Sequence, residues 1–433
     1  MAPARSKSLL RRDCSSTARE AVAEVHEADE KYTNDAVAAA KAAFPVWRDL
    51  DLQERGVYLS KLASLIREAN DELARLEAIS TGKPISRFND AMVAADNFQY
   101  FAAAGFDAQG TTSLNTRNHL NITVKQPYGV VGCIIPWNAP LIFFSLKVAP
   151  ALAAGNTVVL KSSEKAPLTC AYVVTLVQKA GFPPGVLNII TGFGEPTGAT
   201  IASHMDVRAV SFTGSLCTGR KIQAAAAASN MENVILELGG KSPAIIFEDA
   251  DLESAATQTQ FSIRYLSGQM CMANSRIYVQ ESVAEKFLAL FKEKFGAARL
   301  GDPLDEKTDH GPQVDELQYN RNVPEQSRLV KEEVFGPVVV INTFKTKEEA
   351  IAKANDTEYG LYAAVFTKNI DRAIRVSKLI EAGVVAVNCT SPTTGKDMPS
   401  GGFKSSGVGR KGLKCSLDNY LETKAILIRI SPE

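Results

Sequence analysis

Cys271 stands in SGQMCMANSRIYVQ, a glycine-containing loop that runs directly into a β-branched stretch. A cysteine is the strongest neutral-pH nucleophile among ordinary side chains once something withdraws its proton. Taken alone, a Cys between two Met residues is more often buried packing. Glu237, 34 residues earlier, closes the apolar run VILE and precedes Gly239 and Gly240. A carboxylate buried at a strand end beside a flexible turn suits a general base, although a capping or salt-bridging Glu fits the same pattern. Asn138, 133 residues before Cys271, is held between Pro136 and Pro140. Its amide could donate to a developing oxyanion, or simply satisfy a turn. Two glycine motifs complete the set. In AVSFTGSLCTGR a strand runs into Gly214, Ser215 and Gly219, so open amides at a helix start could hold a pyrophosphate. GFGEPTG, residues 192–198, is like a phosphate loop but misses GxGxxG by one residue, and neither motif alone is specific.

Positioning such groups requires a large scaffold, and the composition supplies one. The 433 residues suggest two or three domains. Hydrophobic residues make up 45% and charged residues 22%, ordinary globular usage that excludes wholesale disorder and fibrous repeats. Lys and Arg number 48 against 48 Asp and Glu, so no global field draws the chain to nucleic acid or anionic membrane. Seven cysteines, odd in number and never in CxxC spacing, read as reduced intracellular thiols. Four scattered histidines without HxxxH or HExxH argue against a metal site. The uncharged stretch between Lys125 and Lys147 could cross a bilayer by length alone. It is broken by Pro127, Pro136, Asn138 and Pro140, so a buried strand, a loop and a helix are expected. The start MAPARSKSLLRRDCSST is basic. A frayed terminus in a cytoplasmic protein is the preferred reading, with a mitochondrial transit segment as the alternative.

From about Asn34 to Gly82 apolar residues recur at three- and four-residue spacing, which predicts helices ended by Gly82-Lys83-Pro84. DAMVAADNFQYFAAAG predicts another. From Asn121 to Gly240 short β-branched runs alternate with amphipathic helices, and a second such series fills the back half. That alternation predicts βαβ units and parallel sheets covered on both faces.

The segments PWN, VLKSSE, FTGS, ELGGKSP, GQMC, EEVFGP and SGGFKSSGVGR, in that order, resemble the NAD(P)-dependent aldehyde dehydrogenase superfamily from about residue 17 to 430. The resemblance implies an α/β fold with a Rossmann-type dinucleotide-binding domain (1–109 and 128–239), an α/β catalytic domain (240–419) and an oligomerisation arm (110–127 and 420–433). The final strand is expected to have few partners in its own chain and to pair with a neighbouring subunit in a homodimer or homotetramer. The resemblance makes Cys271 the nucleophile, Asn138 an oxyanion donor and Glu237 the base for thioester hydrolysis. It places Lys161 and Glu164 at the adenosine ribose, favouring NAD over NADP. Gly214 and Ser215 fall at the pyrophosphate, and Glu333 and Phe335 at the nicotinamide ribose and ring. Ile135, Trp137, Gly194, Gly219 and Gly239 complete the cofactor set. The implied activity is broad-specificity oxidation of an aldehyde to a carboxylic acid; the alternative is an impaired paralogue that binds nucleotide without turnover.

Four departures stand out. The chain is expected to begin almost at its first helix. A helix and two strands are missing between Arg321 and Asn322, which would leave PVVVINTF unpartnered. Lys411 stands where the family often has an acid, so a proton-relay carboxylate is absent. Ala139, Leu146 and Ser400 replace aromatic tunnel residues, which implies a wider aldehyde tunnel.

Overall fold

The structure, a computed structural model, describes residues 7–12, 20–314, 328–395 and 397–431. Contrary to expectation, strands precede the first helix; the rest of the basic start lies outside the described residues. Strand β1 (Lys7–Arg12) pairs antiparallel with β2 (Glu20–His26), the register setting Arg12 across from Glu20. Pairing between separate segments is a long-range term that a local reading does not weigh.

Helices α1 (Glu30–Asp49), α2 (Leu52–Glu68) and α3 (Asn70–Thr81) follow. Asp29 caps α1, and Asp51 with Glu54 forms a capping box on α2. Each helix buries one stripe, such as Val37, Ala40 and Trp47, or Leu59, Leu62 and Ile66. Gly82, with φ +78°, ends α3 as expected, and α4 spans Asp90–Ala104. Strands β3 (Thr112–Ser113) and β4 (His119–Pro127) then belong to a separate three-stranded sheet.

The first sheet contains β5 (Val130–Ile134), β6 (Thr157–Ser163), β7 (Leu187–Gly192), β8 (Val207–Thr213) and β9 (Asn233–Glu237), parallel in the order β9-β8-β5-β6-β7. Helices α5 (Pro140–Ala153), α6 (Leu168–Ala180), α7 (Ala199–Ser203) and α8 (Leu216–Ala228) lie between these strands in sequence. Both faces are covered. Val131 and Cys133 of β5 join one core, whereas Val130 and Ile134 join the other, the two-residue alternation of a strand. The second sheet is also parallel, in the order β12-β11-β10-β14-β15. It is built from β10 (Pro243–Ile246), β11 (Arg276–Gln280), β12 (Val340–Phe344), β14 (Tyr362–Phe366) and β15 (Val384–Val387), with the short β13 (Tyr359–Gly360) beside it.

PVVVINTF is not left unpartnered. β12 pairs with β11 over all five residues, and Val339 and Ile341 pack on the core shared by Ile277 and Phe287. β12 is nevertheless a sheet edge. The Arg321/Asn322 junction itself lies outside the described residues. The final strand corrects a second expectation. β18 (Leu421–Arg429) pairs with β4 across nine residues of its own chain. Its other side forms the edge of that three-stranded sheet.

The two main sheets meet where β16 (Phe403–Lys404) pairs with β13 and β17 (Gly407–Val408) pairs antiparallel with β9. Gly407, with φ +144°, approaches so closely that a Cβ would sit 2.2 Å from the Leu236 carbonyl oxygen. Between these strands, buried Ser406 donates to the Gly239 carbonyl (2.7 Å) and accepts from the Gly360 N–H (2.9 Å). Ser406→Ala leaves both backbone groups unpaired, at about 1–3 kcal/mol each. A thermal melt is expected to show a Tm lowered by several degrees, and an unchanged Tm would show that water replaces the hydroxyl.

Candidate active site

Three strand ends converge. β9 ends in Glu237, followed by the Leu238-Gly239-Gly240 turn into β10. β5 ends at Ile134, and Ile135-Pro136-Trp137-Asn138 leads into α5. The loop before β11 carries Cys271. That loop is strained: Leu266 and Ser267 adopt φ +52° and +56°, conformations that cost on the order of 1–3 kcal/mol each. It is held by Ser267 donating to the Gly311 carbonyl (2.8 Å) and by buried Arg276, whose guanidinium donates to the carbonyls of Lys241, Lys353 and Ala354.

The three expected catalytic residues come together. The Cys271 Sγ faces Glu237 Oε1 at 4.0 Å. The Asn138 Nδ2 donates to the Gln269 carbonyl at 2.9 Å, two residues before the cysteine. Asn138 and Glu237 are buried and Cys271 is half-buried. Burial pushes the Cys271 thiol well above the ordinary thiol range; Glu237 adds to the rise and Lys411 opposes it. The sequence reading did not anticipate the cations around Glu237. Lys411 Nζ forms an ion pair with Glu237 Oε2, and Thr213 Oγ1 lies 3.5 Å from the same oxygen. Lys147 donates to Ser211 Oγ (3.0 Å), and burial pushes its ammonium down to about 8 against the attraction of Glu237. The signal for Lys147 was its place as the one charged residue of the apolar helix PLIFFSLKVAPALA.

The cofactor candidates fall at the carboxyl ends of the first sheet. β6 and β7 lie on one side of β5 and β8 and β9 on the other, so the strand order reverses between β5 and β8, where open α/β sheets bind ligands. Ile135 and Trp137 follow β5, and Gly214 and Ser215 follow β8. Ser215 caps α8, whose first turn carries no acid, leaving an N-terminus suited to phosphate. At the end of β6, buried Lys161 lies 3.6 Å from Glu164 Oε2, and burial lowers its ammonium. A side chain at Gly194 would meet open space. Gly219 has a packing reason instead: a Cβ there would lie 2.6 Å from Leu238. Glu333 closes over the turn after β9, where its Oε1 accepts from the Gly240 N–H at 3.0 Å and its Oε2 fills the space of a Gly239 side chain. Phe335 meets Trp137 edge-to-face at 5.5 Å. An acid-free helix start, a glycine with room beside it and a carboxylate at the β6 end together fit a dinucleotide. Among the described residues, no group of three or more His, Cys, Asp and Glu could hold a metal ion, and no helix is long and apolar enough to cross a membrane.

A doubly wound sheet with a cysteine and a carboxylate facing each other beyond the carboxyl ends of its strands is an arrangement that could carry thiol chemistry next to a bound nucleotide. The comparisons narrow the class. Residues 5–322 and 320–426 match the Aldehyde dehydrogenase family in two pieces. An aldehyde dehydrogenase of Davidiella tassiana is 44% identical over 446 aligned positions, covering 94% of this chain and 90% of its own. Human retinal dehydrogenase 2 is 41% identical, covering 95% and 87%. The NAD+ complex of an aldehyde dehydrogenase from Bacillus cereus superposes with a TM-score of 0.94 at 36% identity, covering 98% of this chain and 94% of that one. The chain belongs to the aldehyde dehydrogenase family.

The family match breaks at 320–322, the junction where the sequence departs. Inserting a family-length segment there is expected to cover the β12 edge and raise both Tm and soluble yield; unchanged melting would show that the edge costs nothing. The raised thiol also sets a pH dependence. Alkylation of Cys271 by iodoacetamide in the free protein should still be climbing above pH 9, and a plateau at neutral pH would contradict a thiol held protonated by burial.

Proposed function

We propose that this aldehyde dehydrogenase oxidises an aldehyde to a carboxylic acid with NAD through a thioester on Cys271. The observation that carries the proposal is the Cys271 thiol facing the Glu237 carboxylate, with the Asn138 amide hydrogen-bonded to the loop that carries the thiol. Glu237 takes the thiol proton, and the sulfur attacks the carbonyl carbon to give a thiohemiacetal. Its oxyanion accepts hydrogen bonds from the Asn138 amide and the Cys271 backbone N–H. Bound NAD supplies the acceptor for the hydride that leaves the thiohemiacetal carbon. Glu237 releases the thiol proton to solvent once the thioester has formed, then removes a proton from water, which attacks the thioester carbonyl, breaks the C–S bond and releases the acid, Cys271 regaining its proton.

Ser215 and the amides at the start of α8 would hold the pyrophosphate, with Gly194 leaving room for it. Lys161 and Glu164 would meet the adenosine ribose. A carboxylate there accepts both hydroxyls and repels a 2′-phosphate, which favours NAD over NADP. Glu333, Phe335 and Trp137 would border the nicotinamide end. In this reading residues 1–109 and 128–239 bind the cofactor, 240–419 supply the cysteine, and the arm of 110–127 and 420–433 joins subunits through the outer edge of β18. Ala139, Leu146 and Ser400 offer little aromatic bulk and favour a broad aldehyde range.

The test is NAD reduction by the purified protein across an aldehyde panel. Cys271→Ala is expected to abolish NADH formation while leaving NAD affinity within a few-fold. Glu237→Gln is expected to give one burst of NADH and then stall; equal loss of burst and steady state would place Glu237 in thiol activation alone. NAD binding without any NADH from the unmodified chain would favour the reading of a nucleotide-binding paralogue.

A further inference from the structure

We propose that Lys411 is a positioning residue that holds the Glu237 carboxylate against Cys271, committing it to acylation and leaving thioester hydrolysis as the slow step. The proposal rests on the thioester reading above. Lys411 is fixed at both ends. Its backbone N–H donates to the Ser400 carbonyl at 2.7 Å, and its carbonyl accepts from the Ser400 N–H at 2.6 Å. Its Nζ lies 5.2 Å from the centre of the Phe143 ring. The neighbouring Arg410 anchors the same segment through the carbonyls of Gly402 and Gly409. The Lys411 and Glu237 side chains are only 23% and 10% exposed, so their attraction is far less screened than that of a surface pair.

The pairing is directional. Lys411 takes Oε2, the oxygen that Thr213 also approaches, and Oε1 is left facing the thiol. Four charged or titratable groups bear on this cluster from the surrounding elements. Glu237 and Glu333 disfavour the Cys271 thiolate and Lys411 favours it. Lys147, already lowered by burial, is lowered further by Lys411. At the thiol, Lys411 is therefore the cation that opposes Glu237. During acylation this helps, because the thiolate forms beside an ammonium. Taking a proton weakens the ion pair in both steps, but in acylation the negative charge passes to the sulfur beside the same ammonium, whereas in hydrolysis it passes to the oxyanion at Asn138 and the loss is not offset there.

Lys411→Gln and Lys411→Arg in the full chain test this by two readouts. The first is iodoacetamide alkylation of Cys271 against pH, which needs neither cofactor nor aldehyde. The Gln variant is expected to react on the order of tenfold more slowly below the thiol midpoint, one pKa unit of lost thiolate, and Arg is expected to restore the rate. The second is rapid-mix NADH formation with a reactive aldehyde. Gln should slow the burst while the steady rate holds or rises, so that the burst disappears. An unchanged alkylation profile in the Gln variant would overturn the proposal. So would a loss of burst and steady rate in equal proportion that Arg does not restore. Absence of NADH from every form would refute the thioester reading instead, and the alkylation profile would still decide what Lys411 does to the thiol.

Discussion

A thiol and a carboxylate can cooperate only if two separately built sheets hold them in register, and the seam at β17 and β9 sets that register. Cys271 is delivered by the second sheet and Glu237 by the first. The chain passes back from β16 to β17 and lays Gly407 beside Glu237. The Ser406 hydroxyl ties the turn after Glu237 to Gly360 beside the second sheet. The same return places Lys411 at the carboxylate, so one short antiparallel pairing decides both geometry and charge at the site.

That charge balance is unusual for a buried pocket. An ionised carboxylate withdrawn from water is costly unless paired, and here two lysines approach it. Lys147, on an apolar helix, is pushed down to about 8 by burial, so it holds its charge less firmly than a surface lysine. Lys411 keeps some contact with solvent and supplies the compensating charge. The thiol feels the sum of these groups. Burial and Glu237 keep it protonated in the free protein, and Lys411 limits how far that goes.

Much of this was legible in the sequence where the signal was local. Gly82 stops a helix, alternating β-branched runs and amphipathic stretches form two parallel sheets, and Cys271, Glu237 and Asn138 sit at loop and strand ends that the chemistry requires. What escaped depends on contacts far apart in the chain. β1 with β2, and β18 with β4, are ladders whose partners no local pattern names. Lys147 reads as the end of an uncharged stretch until folding sets it beside Ser211. Lys411 reads as a missing acid, and only the β17 seam shows that a cation takes that place against Glu237. The exposure of β12 was overstated for the same reason, since it pairs with β11 along its length and Val339 and Ile341 are half-buried on the core around Ile277.

The central claim is that the oxidised substrate passes through a covalent bond to Cys271. It is tested most directly by mixing the protein with NAD and propanal, quenching with acid during the first turnover, and measuring the mass of the peptide that carries Cys271. The account predicts a propanoyl group on that cysteine and on no other, formed as NADH appears. Steady NADH production with no acyl group on Cys271 at any quench time, or with the group on a different cysteine, would contradict it.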